Sequence, residues 1–424
     1  MARKQIALIA AASLVALTAC SSGAGKPKDS ALVRVDAERA TVPPTALTAA
    51  ATSANAFGVD VFQAVTDGKS GNVMVSPTSL ATVLAMLLPG AKGQTAAEMA
   101  KTLHTTLPAD QFANALGALN AATVQRVLAD KADLQQFDSA WTQQGYDLQQ
   151  PYLKTLASAF DTGMHEVDFA GSPEAARQTI NKAVQDQTNG LIKDLFGPGS
   201  LDPSTRLALT DALYFKAKWA ETFKKGGTTD VPFHLPDGGT PAVPTMSQFH
   251  GFGYAEDTGW QYVELPYEQD HLAMDVVLPA AGTFDSFRKG LTAEKLAAMA
   301  GSASEADVDL RLPKFTFDTS LQLKEALAAL GMTSVFDAST ADLSGIPAKP
   351  EPLSVGTVVQ KTHVAVDEDG TTAAAASGVS IAAGAARATT KPVTMHVDRP
   401  FLFLIRDTVS GQILFLGQVT DPRG

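Results

Sequence analysis

The chain has 424 residues, of which 45% are hydrophobic and 18% are charged. It can therefore bury a large core, as one big domain or two modest ones, and disorder of the whole chain is excluded. Its net charge is −11, and no basic cluster lies outside the extreme N-terminus, which excludes a nucleic-acid-binding surface.

The N-terminus has the pattern of an export signal. Arg3 and Lys4 precede an apolar run from Ile6 to Ala16, which is too short to span a bilayer as a mature helix. The run ends in LTAC, residues 17–20, which looks like a bacterial lipobox, in which the Cys is lipid-modified and becomes the first mature residue. We therefore expect a lipoprotein signal peptide over residues 1–19 and lipidation of Cys20, which would leave the protein exported and anchored at the cell surface.

Cys20 is the only cysteine in the chain, so a disulfide within one molecule is excluded. The alternative for Cys20 is a buried apolar residue inside an ordinary signal peptide. Residues 20–45 are rich in Ser, Gly, Lys, Pro and Asp without sustained periodicity, and they predict a lipid-anchored flexible linker. No later composition shift divides the chain, so residues 46–424 are expected to form one domain.

Helix signals dominate the first half of the chain. Ser76-Pro77 predicts a helix start, because Ser is a good N-cap and Pro suits the first helical position. Thr95 and Glu98 have the spacing of a capping box. Ser172-Pro173 predicts the start of a further helix, which closes at Asn189-Gly190.

Strand signals dominate the second half. Residues 207–215 alternate between two faces and predict a strand. Apolar runs predict buried strands at residues 272–279 and 308–317, and a final hairpin from PFLFLIRD and QILFLGQV. One helix, residues 320–331, interrupts them and ends at Gly331. This distribution predicts an α+β fold around mixed or antiparallel sheets.

Motifs of catalysis and of metal binding are missing from the sequence. No two of the seven histidines have the i, i+4 spacing of a helical zinc site, and there is no nucleophile elbow, phosphate-binding loop or dinucleotide fingerprint. Asp367, Glu368 and Asp369 faintly resemble a calcium loop, but the ligand spacing and the late Glu are missing. We expect no metal, no cofactor and no enzymatic activity.

Residues 366–393, VDEDGTTAAAASGVSIAAGAARATTKPV, form the most unusual segment. If it is extended, residues 371–383 carry no charge and no Pro on either face, so nothing in them forbids burial between two strands of a sheet. Alanine and glycine hold an isolated strand poorly. Three acids precede the segment, and Gly370 can act as a hinge.

Six sequence blocks, in order over nearly all of residues 50–422, resemble the serpin family. They are NVMVSPTSLATVLAMLLPGAKGQTAAEM; LTDALYFKAKW; VPTMSQ with GFGYAEDTGWQYVELPY; LRLPKFTFDTSLQLKEALAALGMTSVF with ADLSGI; VVQKTHVAVDEDGTTAAAA; and DRPFLFLIRD with GQILFLGQV. The resemblance implies the serpin fold, with three β-sheets, about nine helices and an exposed reactive-centre loop.

The resemblance also implies suicide inhibition. A target serine protease cleaves the loop as a substrate, and the cut loop then inserts as a new strand of the main sheet and traps the covalent acyl-enzyme. The hinge of the loop would consist of Glu368, Gly370, Thr371, Thr372, Ala373, Ala374, Ala375 and Ala376. Its small uncharged residues suit insertion, because a buried charge would oppose it.

Two positions compete for the reactive bond. In the family, the residue before the reactive bond is commonly the seventeenth when the hinge Glu is counted as the first. With Glu368 as the first, the seventeenth residue is Gly384, and the bond Gly384-Ala385 suits elastase-like or subtilisin-like proteases. The length of chain downstream agrees better with Arg387-Ala388, which a trypsin-like protease would prefer. We favour Gly384-Ala385, since the length on the hinge side sets how far the protease is carried.

The resemblance places Ser76 and Ser79 at the shutter beneath the opening point of the sheet, and Trp219 at the breach where insertion starts. Simpler roles are an N-cap, a helix hydroxyl and a core Trp. Asp211 stands where serpins usually have Asn, and Gln360 where many have His. A buried Asp needs satisfied hydrogen bonds or protonation, so the stability of the uncleaved state is in question.

The sequence therefore predicts an irreversible inhibitor of extracellular serine proteases. We expect a monomer that touches the membrane only through its N-terminal lipid and needs no heparin-like cofactor, given its acidic charge. The alternatives are a non-inhibitory serpin that serves as a binding or carrier module, and an inhibitor of trypsin-like proteases through Arg387.

Overall fold

A computed structural model describes residues 30–371 and 392–424. Over these residues the chain forms nine α-helices, six of them before residue 188, as the sequence predicts. They are α1 Pro44–Thr66, α2 Pro77–Leu87, α3 Gly93–Thr102, α4 Ala109–Ala129, α5 Gln150–Phe160, α6 Pro173–Gln187, α7 Phe284–Lys289, α8 Ala293–Ser302 and α9 Lys324–Ala329.

Sixteen strands accompany the helices in the described residues. They are β1 Ala31–Val33, β2 Val73–Val75, β3 Asp133–Gln143, β4 Met164–Val167, β5 Leu207–Lys218, β6 Thr229–Pro232, β7 Ala242–Asp257, β8 Trp260–Pro266, β9 Leu272–Pro279, β10 Ser304–Pro313, β11 Phe315–Gln322, β12 Val355–Asp367, β13 Gly370–Thr371, β14 Val393–His396, β15 Phe401–Asp407 and β16 Ile413–Val419. The α+β class is confirmed, and so is the final hairpin, in which β15 pairs with β16 in antiparallel.

The strands form two hydrogen-bonded sheets. One has seven strands in the order β1-β4-β3-β5-β13-β12-β11, and the other has nine, with β6 attached to β7. The family resemblance implied three sheets. The count differs because the 16-residue strand β7 pairs with β10 along residues 245–254 and with β8 along residues 253–257, and so joins two of them into one.

Helix α2 lies between the two sheets and contacts β3, β5 and β16. All eleven of its residues are buried. Its start is the predicted one, since the Ser76 hydroxyl accepts a hydrogen bond from the Ser79 amide at 3.3 Å, which satisfies a free N–H of the first turn. This buried helix supports the seven-stranded sheet from inside.

Three local predictions are wrong. Residues 320–322 belong to β11, whose alternating buried residues pair with β12, so only residues 324–329 are helical. Pro313 ends β10 in one sheet and Phe315 begins β11 in the other, which divides the strand predicted at 308–317. Glu98 caps no helix start, because its carboxylate accepts the amides of Thr333 and Ser334 at 2.9 and 2.8 Å.

The linker predicted for residues 20–45 extends too far. Ala31–Val33 pairs in antiparallel with β4 at the edge of the seven-stranded sheet, and Arg34 forms an ion pair with Asp161 at 3.1 Å. Helix α1 begins at Pro44. Residues 31–34 of the predicted linker therefore belong to the fold, because the sheet edge offers backbone partners that a three-residue strand can use.

Candidate functional site

The centre of the seven-stranded sheet contains a parallel pair of strands, β5 and β12. Their ladder runs from Leu207 beside Val355 to Tyr214 beside His363. Beyond this stretch the short strand β13 lies between them, with Thr371 paired to Ala217 on β5 and to Val366 on β12. We call this contact between β5 and β12 the seam. The first two residues after the turn at Glu368 and Asp369 have already entered it.

Gly370 is required where the chain enters the seam. Its φ is 154°, and a Cβ at this position would lie 2.1 Å from the carbonyl oxygen of Ala217. A larger residue would therefore push β13 away from β5. The sequence predicted a hinge role for Gly370, and the observed close approach is what a chain needs in order to turn tightly into a sheet.

An aromatic cluster of Phe215, Trp219 and Tyr267 lies beneath β13; we call it the breach cluster. Trp219 stacks on Tyr267 with ring centroids 4.8 Å apart and planes 9° apart, and Phe215 meets Tyr267 edge to face. The indole N–H of Trp219 donates to the Asp367 carbonyl at 2.9 Å. Thr371, which is 1% exposed, places its hydroxyl oxygen 2.6 Å from that of Tyr267. The cluster thus contacts both ends of the turn that leads into the seam.

The acidic residues before β13 have protein partners. The Glu368 carboxylate pairs with Lys314 Nζ at 2.7 Å and accepts the Thr228 hydroxyl at 2.6 Å. Burial favours the neutral acid, but these two hydrogen bonds outweigh it and lower the pKa of Glu368. Asp369 pairs with Lys225 at 2.8 Å. Among residues 30–371 and 392–424, no group of three His, Cys, Asp or Glu side chains is arranged to hold a metal ion.

The shutter residues named from the sequence lie together under the seam. The Gln360 side chain on β12 accepts the Ser76 amide at 2.9 Å and donates to the Ser76 carbonyl at 3.1 Å. It also donates to Asp211 Oδ2 at 2.6 Å, and the Ser79 hydroxyl lies 2.7 Å from Asp211 Oδ1. All four residues are 0 to 1% exposed. Helix α2, β5 and β12 are therefore joined at one polar point.

Asp138 on β3 completes this polar cluster, and nothing in the sequence indicated it. It is the register partner of Asp211 across the β3–β5 ladder, and its carboxyl contacts the same Ser79 hydroxyl. A hydroxyl carries one proton and cannot donate to two carboxylates. Since the amides of Gln136 and Gln360 donate to the other oxygen of each acid, one of the two carboxyl groups must itself be protonated.

The electrostatics agree with this proton count. Removal from water, followed by the charge of Asp211, raises the pKa of Asp138 well above its usual value. Burial raises the pKa of Asp211 to about 7, against the opposing hydrogen bonds from Ser79 and Gln360. The buried Asp211 is thus accommodated by shared hydrogen bonds and a shared proton.

Several predicted site residues lie outside the described residues. These are Cys20, the hinge residues Thr372, Ala373, Ala374, Ala375 and Ala376, and the two candidate bonds, Gly384-Ala385 and Arg387-Ala388. In the described parts of the chain, no helix has both the length and the apolarity that crossing a membrane requires.

Comparison with known proteins agrees with this architecture. A sequence model of the family described as "Serpin (serine protease inhibitor)" matches residues 52–422, and the chain belongs to the serpin family. It is 37% identical over 370 residues to an uncharacterised serpin-like protein of Thermococcus kodakarensis, covering 87% of this chain and 85% of that protein.

It is also 37% identical over 377 residues to the leukocyte elastase inhibitor of Bos taurus, covering 86% of this chain and 97% of the relative. Among solved structures, the thermophilic serpin tengpin in its native state superposes with a TM-score of 0.80 at 25% identity, covering 93% of this chain and all of that one. The serpin fold predicted from the sequence blocks is thereby confirmed.

Proposed function

We propose that this protein irreversibly inhibits extracellular serine proteases by cleavage and insertion of its reactive loop. The observation that carries the proposal is the two-residue strand β13, which already occupies the top of the seam between β5 and β12. The same segment continues from Thr371 with residues that carry neither charge nor Pro as far as 383. The entry point and a strand suited to the interior of a sheet are therefore consecutive in the chain.

The observed register says where the following residues would lie. Thr371 pairs with Ala217 in antiparallel, so each further residue would pair one position lower on β5, and Ile381 would reach Leu207, the first residue of that strand. The length of β5 thus matches the uncharged stretch. Insertion along this register would convert the parallel seam into two antiparallel ladders, which are slightly more stable per residue.

The same register matches side chains to their surroundings. Ala373 and Ala375 would meet Phe215 and Leu213, and Val379 and Ile381 would meet Leu209 and Leu207, all buried residues of the inward face of β5. Ser377 would lie between Asp211 and Gln360. When β5 and β12 separate, Gln360 and Asp211 would lose their direct contact. The Ser377 hydroxyl would then lie between them and supply a hydrogen bond that the buried carboxyl needs.

The chemistry belongs to the target protease. Its serine oxygen would attack the carbonyl carbon of the residue before the reactive bond and form an ester. The amide bond breaks, and the serine proton passes to the new amino terminus of the C-terminal fragment, which would stay in the fold through β14, β15 and β16. Insertion would then carry the esterified protease away from the entry point before water can complete hydrolysis. The stabilisation gained by insertion must exceed what is needed to distort the protease.

We assign the reactive bond to Gly384-Ala385, and hence elastase-like or subtilisin-like targets. The small residues around this bond suit such enzymes, and one relative is named a leukocyte elastase inhibitor. Arg387-Ala388 is the competing bond and would direct the protein to trypsin-like enzymes. The two assignments differ by three residues in the length of the inserted segment.

The decisive experiment mixes the folded domain with an elastase-like, a subtilisin-like and a trypsin-like protease. We expect adducts with the first two that survive denaturing electrophoresis, together with a released peptide that begins at Ala385 in mass spectrometry. A peptide beginning at Ala388 would move the bond. Cleavage without any adduct would favour a non-inhibitory serpin that acts as a binding module.

We further propose that the protein is exported and held at the cell surface by a lipid on Cys20, as a monomer. The support is the signal sequence with its LTAC motif. Cys20→Ser should release the protein from the membrane fraction into the medium. Unchanged fractionation of this variant would overturn the anchor.

A further inference from the structure

A second site lies on the surface of the molecule, away from the seam. A cleft of about 780 Å³ is bounded by the end of α1, the segment from β9 to α7, and the chain before β15. This volume is in the range of pockets that bind small organic molecules. Its walls combine apolar residues, among them Leu235, Pro279, Phe284 and Pro400, with charged ones.

The most informative residue of the cleft is Arg288. It is 4% exposed, and its guanidinium donates no hydrogen bond to any of the described residues; the Nε–H is buried without a partner. Its one ion pair among the described residues, with the exposed Asp285, is 3.7 Å long. A guanidinium remains charged in proteins, and a buried charge without hydrogen-bond acceptors is strongly unfavourable. The folded chain therefore holds an arginine whose acceptor is not supplied by the described residues.

The position of Arg288 is fixed from the backbone. The Gln63 amide on α1 donates to the carbonyls of Arg288, Lys289 and Leu291 at 3.3, 3.2 and 2.8 Å. This bonding attaches the end of α7 to α1 and holds the arginine at the cleft wall. A pre-positioned donor group loses little conformational freedom when it binds an acceptor.

The lining of the cleft is positively charged, whereas the chain as a whole is negatively charged. Lys69, Lys289, Arg399 and Arg288 line it, against the two carboxylates of Asp285 and Asp398, although the chain as a whole carries −11. Arg399 is held by the Pro279 carbonyl at 3.0 Å and by Asp398 at 2.8 Å. Four cations against two anions, beside an apolar wall, attract a molecule that is acidic at one end and apolar at the other.

We propose that this cleft binds a small amphipathic organic carboxylate. The carboxylate pairs with the guanidinium of Arg288, which matches the planar geometry of a carboxylate, and the apolar body lies against Phe284, Pro279 and Leu235. None of the described residues that line the cleft belongs to the seam, so we expect binding to be independent of loop insertion.

The test is isothermal titration calorimetry with 1-naphthoate, using 1-naphthamide as the uncharged analogue of nearly the same shape. We expect one naphthoate per molecule, at least tenfold weaker binding of the amide, and weaker naphthoate binding as salt is raised. Equal binding of the two compounds, or no binding of naphthoate at millimolar concentration, would overturn the proposal. Sulfate that competes fully with naphthoate at equal concentration would overturn the amphipathic class.

Variants locate the site. Arg288→Gln should weaken naphthoate binding at least tenfold, with folding checked by circular dichroism. Should that variant not fold, Ala281→Trp at the exposed rim fills the cleft, and Lys69→Glu reverses a charge on its wall; each should weaken binding several-fold. Lys193→Glu, at an exposed lysine outside the cleft, is the matched control and should bind normally. Naphthoate binding that survives both Ala281→Trp and Lys69→Glu would show that the site is elsewhere.

Discussion

The hydroxyl oxygens of Tyr267 and Thr371 lie 2.6 Å apart and are both buried. Tyr267 belongs to the breach cluster, and Thr371 is the last described residue of the segment that enters the seam. This contact is the deepest point that the segment reaches among the described residues. The uncleaved protein thus already contains the first step of the insertion that we propose.

Replacement of Thr371 by arginine tests whether this first step matters for inhibition. An arginine cannot be buried beside Tyr267 without an acceptor, so Thr371→Arg should expel β13 and delay insertion. We expect most encounters with an elastase-like protease to end in simple cleavage, and the number of inhibitor molecules consumed per enzyme to rise several-fold. Thr106→Arg, at an exposed threonine, is the control. An unchanged adduct yield in Thr371→Arg would contradict the insertion mechanism.

Two neighbouring substitutions test the register. Ala373 would face Phe215 in the buried interior, whereas Thr372 would lie beside Lys216, which is only half-buried. Ala373→Glu should therefore convert the inhibitor into a substrate, while Thr372→Glu should keep most of its adduct yield. Gel densitometry after reaction with excess protease measures both. If the two variants behaved alike, the register read from Thr371 and Ala217 would be wrong.

Asp211→Asn tests the shared proton at the shutter. The folded-state pKa of Asp211 is raised to about 7 from an unfolded value near 4, so between these values the folded state binds more protons than the unfolded state. The stability of the wild type should therefore fall as pH rises through this window, and the loss should be complete above pH 7. The asparagine variant lacks the part of this loss that Asp211 contributes, and the part that burial of Asp138 contributes remains.

The measurement is the difference in unfolding free energy between Asp211→Asn and the wild type at pH 5 and at pH 8. Between pH 5 and pH 8, we expect this difference in unfolding free energy to change by about 1–3 kcal/mol in favour of the variant, since one pKa unit corresponds to about 1.36 kcal/mol. The pKa of buried Asp275 is also raised to about 7, and it affects both proteins equally. A difference that does not change with pH would show that Asp211 carries no extra proton.

Lys314→Met tests the ion pair at the entry to the seam. The substitution leaves the Glu368 carboxylate, which is 6% exposed, with the Thr228 hydroxyl as its remaining side-chain partner. We expect a loss of about 1–3 kcal/mol and a shorter half-life of inhibitory activity at 37 °C. In the double variant Lys314→Met with Glu368→Gln, much of the stability should return. No recovery in the double variant would show that the lysine acts through packing alone.

The structure brings together the four residues that the sequence assigned to the shutter and adds one that the sequence did not indicate. Each of Ser76, Ser79, Asp211 and Gln360 lies inside one of the quoted blocks, so the resemblance could name them. Asp138 could not be found in the same way, since its position opposite Asp211 depends on the tertiary pairing of β3 with β5. Lys314 and Tyr267 lie inside quoted blocks. Their partners are fixed only when β12 pairs with β11, and when β13 enters between β5 and β12.

The errors at element boundaries have a similar cause. Leu321, Leu323 and Leu327 fit a helical pattern, but the backbone of residues 315–322 gains a full ladder with β12, and this pairing outweighs local propensity. Residues 31–33 resemble a linker in composition, yet they find an open edge on β4. Neither outcome is visible without the partner strand.

Strand β16 has a consequence for biosynthesis. It lies between β15 and β2, so that Gln418 pairs with Val73, nearly 350 positions earlier in the chain. The edge of the nine-stranded sheet therefore cannot close on a ribosome until almost the whole polypeptide has emerged. If the protein is exported, as we propose, and crosses the membrane unfolded, it would therefore complete its fold only after it has crossed.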